Sequence, residues 1–275
     1  MNKDLTLIIV SFNSADNILL NLHDLLISGR YPALILDNAS PDDSGEILKE
    51  QLPAVDVITL PTNWGYGRAA NVGLRQAQTP YALLLNPDLE VPTDQIKKLL
   101  QHAKQGPEST AIWGPATTHA YFTDLPPKDT ALISGSAMLF DVEKIKKVGL
   151  FDENIFLFSE ETDLCTRTIQ AGYSIQLCPD VLFNHLGGQS SSPSPEIDYM
   201  KWWHFGWSQC YRMTKHRQYT MWKNPLRKYI AYTLHSMLTI SPKRRRKWQA
   251  KADGVLAFIR GKMAFDEQGI PQKSV

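Results

Sequence analysis

The chain has 275 residues and a mass of 31.1 kDa; 43% of it is hydrophobic, 21% charged and 10% aromatic, and the formal net charge is +1. That is ordinary globular composition with enough apolar content for a sizeable core, and it excludes a disordered, collagen-like or low-complexity chain. Three cysteines (Cys165, Cys178 and Cys210) without a Cys-x-x-Cys pair exclude a disulfide scaffold or a cysteine zinc site and fit a reducing, cytoplasmic setting. Neither a secretory leader nor a run of 18 apolar residues is read in the sequence.

In chain order, Leu5–Val10 (LTLIIV) predicts a strand buried on both faces. Ser11–Asn17 reads as a polar loop, and Ile18–Ser28 as a helix that Gly29 could cap. Ala33–Leu36 is a second strand ending at Asp37, followed by a short helix over Ser44–Gln51 and a third strand over Asp56–Leu60. A glycine-containing turn, Asn63–Gly67, leads into a helix over Tyr66–Gln78. Tyr81–Leu85 is a fourth strand stopped by Asn86–Pro87, and Thr93–Lys104 an amphipathic helix. Ser134–Phe140 and the residues around Cys178 continue the sheet, while Asp141–Val148 and Glu161–Gln170 add helices. This alternation predicts an α/β fold with a mostly parallel central sheet flanked by helices. The SSSPSP run at Ser190–Pro195 marks a linker, so residues 1–192 and a helical C-terminal region, 193–275, are expected to be distinct.

In parallel sheets, ligands sit beyond the carboxyl ends of the strands. Those ends carry Ser11–Asn13, Asp37–Asn38 and Asn86–Asp88, three polar clusters expected to converge on one crevice. Asp37 can accept hydrogen bonds from a nucleobase or ribose, or can simply shape the turn-rich DNASPDDSG segment. Asp88 suits a hard divalent ion that also ligates a diphosphate, or a helix-start turn. Arg68, in the first turn after the glycines, can meet a phosphate or stay solvated. Glu160, Glu161 and Asp163 cluster at a helix start, where the dipole favours them and where one could act as a general base. Asp163 and Arg167 are spaced for an ion pair. His185 stands in a polar turn whose Gly187, Gly188 and Ser190 allow close approach of a ligand.

Seven segments in register make the chain resemble the inverting family 2 glycosyltransferases, most of all their bacterial rhamnosyltransferase-like branch. They are VSFNS, LDNASPDDS, NWGYGRAANVGLRQA, LLLNPDLEVP, SGSAMLF, GLFDENIFLFSEETDLCTR and HLGGQSS, spread over about residues 5 to 192. The resemblance implies a GT-A fold, with a nucleotide-sugar half over about 1–105 and an acceptor half over about 106–192. It assigns Val10, Ser11, Asp37, Arg68, Asn71 and Asn86 to the nucleotide sugar. Asp88 and His185 fall to a divalent metal, Mg²⁺ or Mn²⁺. Glu161 matches the catalytic base, with Glu160 as the first member of the acidic pair and Asp163 as an alternative base. Asn86 stands where the metal motif's first Asp would be, and Glu161 where the branch usually carries Asp. The implied activity moves a sugar from dTDP-rhamnose or a UDP-hexose, with inversion, to a glycan or polyprenyl-diphosphate-linked hydroxyl in cell-surface polysaccharide or lipopolysaccharide synthesis. The alternative, kept open by those two departures, is a non-catalytic nucleotide-sugar-fold protein that scaffolds a glycan assembly complex. A nucleotidyltransferase of the pyrophosphorylase kind lacks its N-terminal Gly-rich, Arg/Lys-bearing loop here.

The net charge hides an asymmetry. Residues 201–275 hold 16 Lys and Arg against 3 Asp and Glu, and residues 1–200 hold 13 against 25. In the basic part, Trp202, Trp203, Phe205, Trp207 and Tyr211 precede an apolar run, Tyr229–Ile240, which is followed at once by Lys243–Lys247 (KRRRK). This pattern suits peripheral docking on an anionic bilayer at the inner face of the cytoplasmic membrane. It also suits a helical subdomain with packed aromatics and a solvated basic face. Nucleic acid is not expected, because no binding module accompanies the basic run.

Overall fold

The computed structural model describes residues 3–185, 194–218 and 224–272. Residues 190–193 of the expected linker, and Gly187, Gly188 and Ser190 beside His185, lie outside the described residues. Contacts divide the chain into two units. One comprises the described residues of Met1–Asn63, Arg68–Phe151 and Glu161–Ser192; the other comprises those of Trp64–Gly67, Asp152–Glu160 and Pro193–Val275. Two short segments of the range 1–192 thus cluster with the C-terminal region, which a division by chain position does not separate.

The first unit begins with β1 (Leu5–Ser11), α1 (Ala15–Asn21), α2 (His23–Ile27), β2 (Ala33–Asp37), α3 (Ser44–Gln51) and β3 (Asp56–Thr59). Next come α4 (Tyr66–Gln76), which starts in the short segment of the other unit, then β4 (Tyr81–Leu85), β5 (Leu89–Glu90) and α5 (Thr93–Gln105). The unit continues with β6 (Thr110–Ala116), β7 (Lys128–Asp129), β8 (Ala137–Asp141), α6 (Val142–Val148), α7 (Glu160–Gln170), β9 (Ser174–Leu182) and β10 (Asn184–His185). Eight strands form one sheet in the order β3-β2-β1-β4-β8-β6-β9-β7. The β3-β2-β1-β4 half is parallel, as is β6–β9, whereas β8 runs antiparallel to both β4 and β6, and β7 to β9.

Every residue of β1 is buried, as its unbroken apolar run requires of a central parallel strand. On α5, Ile96, Leu99, Leu100 and Ala103 are buried at one-face helical spacing. The single helix expected over Ile18–Ser28 is instead two short helices that meet at Leu22, and the first starts at Ala15, inside the expected loop. Ile18, Leu22, Leu25 and Leu26, at one-face helical spacing, all enter the core. Strand β6 is absent from the elements read in the sequence. Pro115 sits where the register with β9 shifts, and all seven residues are buried.

The second unit holds α8 (Pro195–Lys215), α9 (Pro225–Leu238) and α10 (Pro242–Ile259). Each begins with proline in its first turn, after Ser194, Asn224 or Ser241. The Ser194 and Asn224 side chains cap their helices by accepting from Ile197 N (3.1 Å) and Leu226 N (2.9 Å). Phe156, Met200, Trp203, Trp207, Ala257 and Ala264 form this unit's core. Helices α8 and α10 cross closely: an added Cβ on Gly254 would lie 1.9 Å from the Trp203 carbonyl oxygen, and one on Gly206 would lie 2.3 Å from that of Lys251. The C-terminal aromatics are therefore largely packing groups. Trp203 and Trp207 are buried, and Trp202 lies under Lys247 Nζ at 3.6 Å. Lys251 is buried among Trp202, Phe205, Tyr232 and Trp248; burial, aided by Lys247 and Lys228, lowers its pKa to about 8. Among the described residues no helix is long and apolar enough to cross a membrane.

Candidate active site

The sheet order puts β1 at a switch point, with β2 and β3 to one side and β4 to the other, and the carboxyl ends at a switch point are where such sheets bind ligands. Ser11 pairs in register with Asp37, and Ile9 with Leu85. The three polar clusters therefore lie side by side. A strand spacing of about 4.8 Å sets the ends of β2 and β4 roughly 10 Å apart across β1.

Val10 and Ser11 are buried at the end of β1, and the Ser11 carbonyl accepts from Asn38 N at 2.8 Å. Asp37 is 1% exposed, and its Oδ1 accepts from the Ser40 hydroxyl at 2.5 Å. Gly45 touches it from α3, and any Cβ there would fall 2.7 Å from Asp37 Oδ2. Ser40 also accepts from Asn13 N at 3.0 Å, tying the loop after β1 to the loop after β2. The buried Asn13 Oδ1 has no hydrogen-bond partner, an exception among buried polar atoms. Asn13, Ala39 and Asp43 all hold left-handed backbone (φ 53°, 58° and 61°), a strain concentrated in the loops that frame Asp37.

Beyond β4, Asn86 N donates to Ser136 O at 2.9 Å, which ties the site to the start of β8. Asp88 is 0% exposed, and its Oδ1 lies 3.2 Å from His185 Nε2. The β5–β10 ribbon makes this pair: Leu89 is in register with His185, and His185 N donates to Thr117 O at 3.0 Å. A carboxylate and an imidazole together suit Mg²⁺ or Mn²⁺ when phosphate and water complete the shell. Among the described residues no group of three or more His, Cys, Asp or Glu gathers into a metal site.

Next to Ser136, Gly135 abuts Glu161: an ideal Cβ on Gly135 would be 3.4 Å from Glu161 Cβ and 3.9 Å from its carboxyl carbon. The Thr162 hydroxyl donates to Glu161 Oε1 at 2.9 Å. Asp163 is fully buried and accepts from Arg167 Nε at 2.8 Å; Arg167 Nη1 also donates to Val148 O at 3.0 Å and Nη2 to Leu150 O. Asp163 is thereby committed to fastening α7 to the end of α6. Cys165, one turn beyond Glu161, is buried, and burial pushes its thiol up to about 12.

Glu160 is buried at the start of α7. The two residues preceding it, Phe158 and Ser159, both have left-handed backbone (φ 65° and 69°), a rare conformation for an aromatic residue. Phe158 is held by the Trp202 and Phe205 rings of its own unit. Arg68 is partly exposed in the first turn of α4. Asn71 is fully buried, and its amide donates to Phe151 O and accepts from Phe151 N, both at 3.0 Å. Those bonds give Asn71 a clamping job within the first unit.

The structure thus brings Val10, Ser11, Asp37, Asn86, Asp88, His185 and Glu161 to one edge of one sheet. Ser40, Asn13, Gly45, Gly135 and Thr162, not singled out from the sequence, hold or shape that edge. Asn13 and Ser40 carried a signal, since Asn and Ser after a strand commonly make such local bonds; the glycine contacts carried none.

A family model described as Glycosyl transferase family 2 matches residues 6–152. The chain is similar to an N-acetylglucosaminyl-diphospho-decaprenol L-rhamnosyltransferase of Mycobacterium tuberculosis, with 23% identity over 305 aligned positions covering 91% of this chain and 98% of that one. It is also similar to dTDP-rhamnosyl transferase RfbF of Shigella flexneri, with 24% identity over 222 positions covering 70% and 72%. Among solved structures, the mannosyltransferase PcManGT from Pyrobaculum calidifontis, in complex with GDP-Man and Mn²⁺, superposes with a TM-score of 0.61 at 14% identity. The match covers 92% of this chain and 70% of that one, a likeness of fold, and the fold is GT-A.

Proposed function

Because the chain belongs to glycosyl transferase family 2, we propose that it moves a sugar from a nucleoside-diphosphate donor to an acceptor hydroxyl in one inverting displacement. The observation that carries this reading is the continuous edge from Asp37 through Ser11 and Asn86 to Ser136, Gly135 and Glu161. A nucleotide sugar laid along it would have its nucleoside at β2 and its reacting carbon toward α7.

In this reading Val10, Ser11 and Asp37 hold the nucleoside, with the carboxylate accepting from a base N–H or a ribose hydroxyl. Asn13 Oδ1 offers a second acceptor there. Arg68 and Asn86 serve the diphosphate and sugar, and Asn71 supports them by holding the chain at Phe151. Asp88 and His185 would hold Mg²⁺ or Mn²⁺, whose chemistry is to offset charge on the leaving diphosphate. The similarity to a mannosyltransferase solved with Mn²⁺ supports that assignment. Glu161 takes the proton from the acceptor hydroxyl as its oxygen bonds the anomeric carbon and the bond from that carbon to the diphosphate oxygen breaks. The Thr162 hydroxyl orients Glu161. Glu160 completes the acidic pair, and Asp163 is not the base because Arg167 occupies its carboxylate.

The relatives' names support dTDP-rhamnose as first donor and a polyprenyl-diphosphate-linked acceptor; a UDP-hexose is the second donor proposed, a free glycan the second acceptor, and cell-surface polysaccharide synthesis the setting. Three buried free thiols suit a cytoplasmic site of action. The test incubates the protein and Mg²⁺ or Mn²⁺ with a panel of nucleotide sugars and lipid-linked acceptors, and reads products by mass spectrometry and anomeric configuration by NMR. Inverted rhamnosyl or hexosyl product is expected. Binding of no nucleotide sugar in calorimetry overturns the reading, and donor binding without turnover would make the protein a scaffold.

A further inference from the structure

Helix α9 wears its amphipathicity inside out. At 100° per residue, Leu226, Ile230, Leu234, Met237 and Leu238 fall within an arc of roughly 120°, and all five are exposed, Leu238 by 81%. Ile240, just past the helix, is 97% exposed. The opposite side carries Tyr232 and His235, which pack on Trp248 of α10 with ring centroids 5.6 and 4.8 Å away. No residue of α9 is buried. A few scattered apolar side chains on a surface mean little, but a helix that points its whole apolar stripe outward needs another medium to cover it.

The charge beside the stripe identifies that medium. Lys243, Arg244, Arg245 and Arg246 follow Ile240 directly and are exposed. The turn between α9 and α10 opens into a shallow cleft of about 780 Å³ whose lining includes Leu238, Ile240, Arg244, Lys247 and Trp248. Apolar walls, two cations and an indole side by side match the boundary of a lipid layer, where acyl chains give way to phosphates. A nucleic acid would leave the apolar stripe in water, and a second copy of the chain would bring like charges together.

We infer that α9 and the start of α10 form a docking surface for an anionic lipid bilayer. The apolar stripe enters the acyl boundary and the cluster from Lys243 to Lys247 meets the headgroup phosphates. The inference goes beyond the sugar-transfer reading, because docking needs neither donor nor acceptor, so each can fail alone.

The test is co-sedimentation of the full chain with phosphatidylglycerol-containing vesicles, with pure phosphatidylcholine vesicles as the neutral arm, at low and high salt. Binding to the anionic vesicles that weakens with salt is expected. Arg244→Gln with Arg245→Gln should weaken it roughly 25-fold, about fivefold per charge. Leu234→Asp with Met237→Asp should abolish stable association. All four positions are exposed, and circular dichroism verifies that the variants keep their helices. Equal binding to neutral vesicles, salt-insensitive binding, or indifference to both double variants overturns the inference. So does a concentration-dependent dimer that Leu234→Asp/Met237→Asp dissolves, or nucleic-acid binding, where vesicle association is absent.

Discussion

Gly45→Ala tests the nucleoside end of the site without touching a polar group. Alanine at 45 would place its Cβ 2.7 Å from Asp37 Oδ2, 2.9 Å from Asp37 Cγ and 3.1 Å from Thr59 Oγ1, whereas ordinary contact begins near 3.4 Å. The carboxylate must retreat by about 0.7 Å, the difference between those distances. It has little freedom to do so, because it is buried and anchored by the 2.5 Å bond from Ser40. Two costs follow. Overpacking at the start of α3 destabilises the fold by about 1–3 kcal/mol. Displacing the carboxylate from a hydrogen bond to the nucleotide costs about 1.5–3 kcal/mol of binding, roughly a 10- to 100-fold weaker Kd. Calorimetric titration of dTDP and UDP into wild type, Gly45→Ala and Asp37→Ala, with a thermal melt of each, measures both. Wild-type affinity in Gly45→Ala alongside weak binding in Asp37→Ala would refute the steric argument. Wild-type affinity in Asp37→Ala would refute the role given to Asp37 itself.

Glu161→Gln should lower kcat by about 10²- to 10⁴-fold, the ordinary worth of a general base, while nucleotide affinity in calorimetry stays unchanged; retained turnover means another group takes the proton. Asp163→Ala strands Arg167 and should cost about 3–5 kcal/mol, a fall in Tm of roughly 6–20 °C at the usual conversion for a domain of this size; an unshifted melt would show that the pair fastens nothing. His204 is buried with its Nε2 3.0 Å from Gln272 O, and burial lowers its pKa to about 3. Its unfolded form binds a proton near pH 6.5, so the stability it contributes is complete above that pH and is lost as pH falls toward 3, at up to about 1.4 kcal/mol per pH unit. Urea melts between pH 7 and 4.5 should show this slope in wild type and a flatter one in His204→Phe; parallel slopes would mean other groups govern the acid limb.

The strands and most helices were legible because their signals are local. Ser44–Gln51 and Tyr81–Leu85 form over the predicted residues, and apolar runs ending in polar clusters located the sheet edge. What stayed hidden depends on distance in the chain. Asp88 and His185, 97 positions apart, were brought together only by the family resemblance and not by any local pattern; in the structure they meet through a two-residue ribbon. Gly135 lies in the stretch read as continuing the sheet, but it precedes β8, and Glu161 comes close to it there. Asn71 looks like a ligand group in a glycine-rich helix start, but both ends of its amide are spent on Phe151. The SSSPSP run hides a helix start, because Ser-Pro before a helix looks the same as Ser-Pro in a linker until Ile197 N reaches Ser194 Oγ. The helix expected over Ile18–Ser28 is interrupted at Leu22 although its apolar positions keep one-face helical spacing, so the periodicity carried no sign of the break.

The carboxylates around the sheet edge differ most in what already occupies them. Asp37 accepts a 2.5 Å bond from a serine hydroxyl, Asp88 faces an imidazole at 3.2 Å, and Asp163 faces a guanidinium at 2.8 Å. A carboxylate bound to a fixed cation must give up that partner before it can take a proton, which sets Asp163 apart as structure. Glu161 is paired with the hydroxyl of Thr162 at one oxygen, a weaker partner that can turn as the acid forms. Its side chain also lies beside Gly135, where an added Cβ would come 3.4 Å from Glu161 Cβ, an ordinary contact. Partner strength is thus the physical ordering of these carboxylates that, more than their order in the chain, supports the proposal of Glu161 as the proton acceptor.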